Sequence, residues 1–215
     1  MKDSEIQKAE FIDTMILRAK HWEGVFQNAD YQQVLWHQVS PDKSLQLVQK
    51  YSDKDAKVVD AGCGASFLVD RLLECGYQDI VLLDTANTSL EIVRKRVDSM
   101  NIKLISGDIL DFRTSAKCDI WHDRAAFHFL REKKEIEQYF QVVMNSLKRG
   151  GIAIISTFRV NGPLQCAGLD IEQYDADKMS KELPEGLELV ASQEYMHITP
   201  KQSEQEYIYF TLKRK

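Results

Sequence analysis

The sequence predicts an α/β fold, a doubly wound and mostly parallel seven-stranded sheet with an antiparallel last strand and helices on both faces. Three observations lead there. From Lys57 onward, short β-branched and aliphatic runs alternate with stretches of helical apolar spacing, the pattern of strands joined by crossover helices. The first of these strands turns into its helix through Gly62 and Gly64, where a side chain would block a positive φ or the close approach of a ligand. Near the carboxyl end, two strand-like runs are joined by a polar link too short for a crossover, so they must pair antiparallel.

Taken in order, Ser4 to Lys20 place Ile6, Ala9, Ile12, Ile16 and Ala19 close to helical spacing. His21-Trp22-Glu23-Gly24-Val25-Phe26 and Val34-Leu35-Trp36-His37-Gln38 follow as an irregular stretch rich in Trp and His. Either both indoles pack this segment onto the core, or Trp36 and Gln38 form part of a lid over a ligand. Leu45, Val48 and Tyr51 start another helix, so residues 1–52 read as a helical arm or lid and residues 53–215 as the sheet domain.

Val58-Val59 begins the first strand, and Phe67, Leu68, Leu72 and Cys75 mark one face of its helix, with Gly76 just past the end. Ile80-Val81-Leu82-Leu83 is a continuous apolar run, as in a strand buried on both faces. Thr88 and Glu91 form a capping box for a helix through Ile92, Val93, Val97 and Met100. Lys103–Ile105 and Asp119–Trp121 are short strands. Ile136, Tyr139, Phe140, Val143 and Leu147 line a helix closed by Gly150-Gly151, and Ile152–Phe158 is the fifth strand. The tail supplies the antiparallel pair, 187–197 and 206–212.

The bulk numbers narrow the function. The chain has 215 residues, 44% hydrophobic and 28% charged, which fits one compact domain with a small appendage. A net charge of −5 disfavours a protein that works on nucleic acid, where a basic stripe is the usual footprint. No apolar run suits a secretory signal or a membrane span. Cys63, Cys75, Cys118 and Cys166 lack C-x-x-C spacing, so neither a zinc site nor a disulfide framework is indicated. The expectation is a cytoplasmic, reduced protein without a metal site, its oligomeric state open.

The glycine corner should present free backbone N–H groups and a helix N-terminus beside the strand end, where open α/β sheets hold nucleotide-like ligands. Phe67 stands where a dinucleotide fingerprint has its third glycine. Asp84 ends the next strand, within reach of a ribose diol, and Asp108 with Ile109 follows the third strand, where a carboxylate and an apolar wall can hold an adenine ring.

Asp60-x-Gly62-x-Gly64, Asp84, Gly107-Asp108 and Leu147-Lys148-Arg149-Gly150-Gly151 together resemble the motifs of the Rossmann-like S-adenosylmethionine-dependent methyltransferases, over roughly residues 55 to 215. The resemblance implies S-adenosyl-L-methionine as cofactor. It implies that Asp60, Gly62 and Gly64, with Cys63 between them, shape the pocket for the methionine and ribose parts. Asp84, with Thr85 beside it, would bind the ribose, and Asp108 with Ile109 the adenine. Cys63 and Ser66 depart from the small or glycine residues common there. Trp121–Leu130 is similar to a bacterial-type branch of unassigned substrate that also has a Trp-x-Gln in its arm, which places Trp36 at the cofactor.

In that family the mouth of the fourth strand faces the substrate, so His122, Asp123 and Arg124 are the catalytic candidates. His122 can serve as base because an ordinary imidazole titrates near neutrality. Asp123 can orient an amine or accept from the amino group of the methionine moiety, and Arg124 can clamp a substrate carboxylate. A plainer reading makes Asp123 and Arg124 a local ion pair. His128 is expected to be a satisfied core histidine and Cys166 a lining residue. The acceptor is expected to be a small molecule, with a protein side chain second and nucleic acid last. The rival readings are a non-catalytic cofactor-binding scaffold and an NAD(P)-dependent oxidoreductase.

Overall fold

A computed structural model describes residues 2–97 and 100–215, with side chains from Asp13 onward. The strands are β1 (Lys57–Ala61), β2 (Asp79–Asp84), β3 (Ile102–Ser106), β4 (Cys118–Arg124), β5 (Leu147–Phe158), the short β6 (Gln165–Cys166) and β7 (Leu169–Asp170), β8 (Leu187–Ile198) and β9 (Glu204–Arg214). The helices are α1 (Lys2–Asn28), α2 (Asp42–Tyr51), α3 (Leu68–Glu74), α4 (Asn87–Arg96), α5 (Lys133–Ser146) and α6 (Ala176–Glu182). Seven strands form one sheet in the order β3-β2-β1-β4-β5-β9-β8. The first five run parallel, and β9 is antiparallel to both β5 and β8. The reversed last strand is therefore as expected, though it lies inside the sheet and β8 forms the edge.

Period-two alternation divides the core. Val58, Ile80, Leu82, Ile120, Ile154 and Tyr209 face α2, α3 and α4, whereas Val59, Val81, Leu83, Trp121, Ile155 and Phe210 face α5 and α6. Both faces are covered, which is why these strands read as unbroken apolar runs. Gly76, at φ 91°, closes α3 in a Schellman turn: its N–H bonds Leu73 O and that of Tyr77 bonds Leu72 O.

Local departures have tertiary causes. α1 runs through His21–Phe26, read above as irregular. The positions Ile6, Ala9 and Ile12 lie outside the described side chains, and Ile16 is exposed. The face that engages the domain is instead Arg18, Trp22 and Phe26, each one turn apart. The glycines expected to close α5 lie inside β5, because the chain turns extended at Leu147 to pair with Cys118. Asp175, whose side chain accepts from Lys178 N, opens α6, a helix not anticipated from sequence.

The expected capping box at Thr88 and Glu91 does not form, and α4 ends at Arg96, short of Val97 and Met100. Glu23 of α1 takes the capping role, accepting from Thr88 N at 3.2 Å and from the Thr88 hydroxyl. That hydroxyl bond holds the Glu23 carboxyl below its ordinary range. A lowered carboxylate contributes stability above its unfolded pKa and loses it as pH falls through the folded value. Glu23→Ala should therefore destabilise the protein at neutral pH by about 1 kcal/mol, the usual worth of a cap. In urea melts the deficit should shrink on acidification; a deficit unchanged with pH would remove Glu23 from this role.

Candidate active site

The corner after β1 is built from within. Gly62 and Gly64 sit at φ 66° and 54°, and a Cβ on Gly62 would lie 2.4 Å from Ala126 Cβ. The N–H groups of Gly62 and Cys63 bond Leu83 O at 2.8 and 3.1 Å, and that of Gly64 bonds Asp84 Oδ2 at 2.7 Å. The free N–H cradle expected here is thus absent at these residues, because the turn spends its donors on holding β1 to β2. Arg96 braces the far side. It donates to Ala65 O and Ser66 O, forks onto both oxygens of Asp70 at 2.8 Å, and covers the Phe67 ring at 4.1 Å.

Carboxylates, not amides, face the open space. Asp84 is buried, accepts from Ala86 N and Gly64 N, and lines the pocket with Thr85. Burial pushes its carboxyl up to about 6, against the pull of those backbone bonds. Asp108, at the pocket wall with Ile109, accepts from Leu110 N at 2.9 Å and from Arg18 Nη1 at 3.1 Å. Arg18 also holds Glu135 at 2.6 Å, so the arm is ion-paired onto the wall that Asp108 and Ile109 form. Each carboxylate oxygen has two lone pairs, which leaves Asp84 and Asp108 able to accept from a ligand.

β4 runs three residues further than Asp119–Trp121, through His122, Asp123 and Arg124. Strand alternation therefore sends Asp123 to the face opposite its neighbours. His122 is in register with Asp60 and bonds it through Nδ1 at 2.6 Å, while Nε2 meets Ser44 Oγ at 2.8 Å. Ser44 continues to Tyr209 Oη at 3.3 Å. With both ring nitrogens engaged, His122 presents no free base to a substrate, contrary to expectation. Asp123 is fully buried and accepts from Ala126 N, Phe127 N and the Tyr139 hydroxyl. It does not line the pocket, so the roles expected for it toward an amine or the methionine moiety are withdrawn. Nor does it pair with Arg124, which donates to Trp36 O at 2.7 Å. His128 is buried as expected but unsatisfied: neither ring nitrogen has a partner, and burial beside Arg124 lowers it to about 3.

One pocket collects the rest. Asp60, Gly62, Cys63, Gly64, Asp84, Thr85, Asp108, Ile109, His122 and Arg124 line it from the sheet side, with Cys166 of β6. Arg18, Trp22, Phe26, Tyr31, Trp36 and Gln38 line it from the arm. The two indoles meet edge to face at 6.0 Å, and Trp22 meets Phe129 at 5.0 Å, so they both pack the arm and wall the pocket. Its space, open mouth included, is about 1110 Å³.

The sequence profile of a family described as a methyltransferase domain matches residues 52–213. The chain belongs to the methyltransferase domain family. A malonyl-[acyl-carrier protein] O-methyltransferase of Priestia megaterium is 25% identical over 138 residues, 64% of this chain and 47% of that protein. The match thus spans about half the length of that curated relative. Among solved structures, an S-adenosylmethionine-dependent methyltransferase from Anabaena variabilis superposes with a TM-score of 0.71 at 15% identity, covering 92% of this chain and 93% of that one. The 1,6-didemethyltoxoflavin-N1-methyltransferase of Burkholderia thailandensis gives 0.68 at 15% identity, covering 100% and 89%. These likenesses are of fold.

This methyltransferase domain also uses residues that the sequence reading passed over. Ser44 and Tyr209 reach His122 only because α2 and β9 pack on one face, which no local pattern signals. Arg96 stands in a basic last turn, Arg94-Lys95-Arg96, which reads as ordinary dipole compensation. For the corner itself, Gly62→Ala should lower stability by roughly 1–3 kcal/mol through strain and the clash with Ala126. Gly107→Ala, with nothing within 4 Å of the added carbon, should cost far less. Equal melting temperatures for the two variants would mean that the corner is not conformationally obligate.

Proposed function

We propose that the chain is an S-adenosylmethionine-dependent methyltransferase acting on a small molecule, with residues 1–52 serving as the lid. One observation supports this most: the glycine corner, Asp84 and Asp108 line a single pocket whose opposite wall is the arm. A methyl donor of this kind supplies a methyl group already activated by its sulfonium. It carries no phosphate, so it needs a carboxylate for its ribose diol and no amide cradle, which matches what the corner offers. Asp84 would accept the ribose hydroxyls, Asp108 and Ile109 would hold the adenine edge and face, and Trp36, Cys63 and Thr85 would complete the wall. Enclosure by Arg18, Trp22 and Phe26 excludes water and fixes the approach of the acceptor.

A small acceptor fits a pocket roofed by the protein's own arm better than a protein side chain presented on a bulky partner. Of the relatives named above, one is named for a malonyl group on a carrier protein and one for 1,6-didemethyltoxoflavin, and the second agrees with a small acceptor without naming this one. No helix among the described residues is long and apolar enough to cross a membrane, and the four cysteines are free, which fits a reducing cytoplasmic setting.

Calorimetry with S-adenosylhomocysteine tests the reading. Binding should be seen, with none for NADH, and Asp84→Ala should weaken it by roughly 1–3 kcal/mol through unpaired ribose hydroxyls. The ribose hydroxyls donate, so they favour the ionised carboxylate. Affinity should accordingly hold steady above neutrality and fall as pH drops through about 6, whereas Asp84→Asn should be flat over that window. NADH binding in place of S-adenosylhomocysteine would reverse the assignment.

A further inference from the structure

Arg124 carries a charge that the protein does not balance. Its Nη1 donates to Trp36 O, while Nε and Nη2 are buried without a hydrogen-bond partner. Its neighbours are neutral phenols, with the Tyr207 ring 5.1 Å from Cζ and the Tyr209 hydroxyl within hydrogen-bonding reach, and no described carboxylate pairs with it. The other guanidinium on the pocket wall, Arg18, holds two carboxylates, Asp108 and Glu135. The hydroxyls of Tyr207 and of Ser156, the latter in register with Arg124 on β5, are also buried and unpartnered. A guanidinium withdrawn from water in this way is costly unless an anion joins it.

The carboxylates of the pocket lie toward β1, β2 and β3, where the cofactor is assigned, and among the described residues no group at the Arg124 end is free to accept a proton. His122 is engaged at both nitrogens, and Asp123 faces the other side of the sheet. Burial pushes the Cys166 thiol up to about 11, and raises the Cys63 thiol and the Tyr31 phenol, so all three stay protonated at neutral pH. A nucleophile that must first be deprotonated finds no base here; a carboxylate arrives ionised.

The order of the sheet gives the direction. Asp108, Asp84 and Asp60 stand at the ends of β3, β2 and β1, which are neighbours in that order, and Arg124 stands at the end of β4, next in line. An adenosine laid across the first three leaves its reacting end toward Arg124. A sulfonium and a bare guanidinium repel each other, and an anion between them relieves both.

We propose that the acceptor is a small organic carboxylate, bound through Arg124 beside Trp36, and that its own oxygen is methylated. This rests on the methyl-donor reading above. One carboxylate oxygen forms the new O–CH₃ bond as the S–CH₃ bond breaks, and that bond's electron pair returns to sulfur. The products are a methyl ester and the neutral thioether, and no proton is released. The ester no longer carries the charge that Arg124 held, which favours its departure.

The test titrates the S-adenosylhomocysteine complex with a panel of mono- and dicarboxylic acids and their primary amides, following the melting temperature. At least one acid should stabilise the complex where its amide does not, and Arg124→Gln should abolish that shift while changing the Kd for S-adenosylhomocysteine less than twofold. Arg124→Lys, which keeps the charge and loses the fork, should restore part of it. With methyl-labelled donor, the product made from that acid should release labelled methanol in mild alkali, and Arg124→Gln should slow its formation at least a hundredfold. Acids and amides acting alike across the panel would overturn the proposal, as would label in a base-stable product. A tenfold loss of S-adenosylhomocysteine affinity in Arg124→Gln would also overturn it, since the guanidinium would then hold the cofactor's carboxylate. Absence of S-adenosylhomocysteine binding in the unaltered protein would instead fail the methyl-donor reading itself.

Discussion

A buried chain of polar groups, Asp60–His122–Ser44–Tyr209, ties β1, β4, α2 and β9 together beneath the pocket floor. All four residues are buried, and a polar group left unpaired there would pay its full desolvation cost, so the chain holds as a unit or fails as one. It fixes where β1 ends relative to β4, and so where the glycine corner stands relative to Arg124. It joins α2, the last element of the arm, to the sheet. By occupying both nitrogens of His122 it also removes from proton chemistry the one imidazole that lines the pocket among the described residues.

The electrostatics of the site follow one logic. The positions along β1, β2 and β3 carry carboxylates, suited to hydroxyl and amine donors and to a cationic ligand. The position at the end of β4 carries an unbalanced guanidinium. Between those two zones the proposed cationic donor and anionic acceptor would meet, each stabilised by the protein. The arm completes the arrangement by closing over it, and its anchors are themselves charged or hydrogen-bonded: Arg18 on Asp108 and Glu135, Glu23 on Thr88.

Much of this was legible in the sequence because it was local. The alternation of strands and helices, the corner at Gly62 and Gly64, Gly76 behind α3, and the acids Asp84 and Asp108 each sit in a short pattern with one physical meaning. What escaped was tertiary. Three more residues of β4 decide which way Asp123 points, and the sequence there, Trp121-His122-Asp123-Arg124, has no apolar alternation to reveal a strand. Glu23 replaces Glu91 as the cap of α4 from a helix remote in sequence. The N–H groups of the corner look free in one dimension but are taken by Leu83 and Asp84 across the sheet.

A crystal structure of the protein with S-adenosylhomocysteine bound would decide whether the glycine corner, Asp84 and Asp108 close around one adenosine. The ribose hydroxyls should lie within about 3 Å of Asp84, the adenine between Ile109 and the arm, and the sulfur should turn toward the space between Trp36 and Arg124. A ligand whose ribose lies away from Asp84, or whose sulfur is turned from Arg124, would contradict that arrangement.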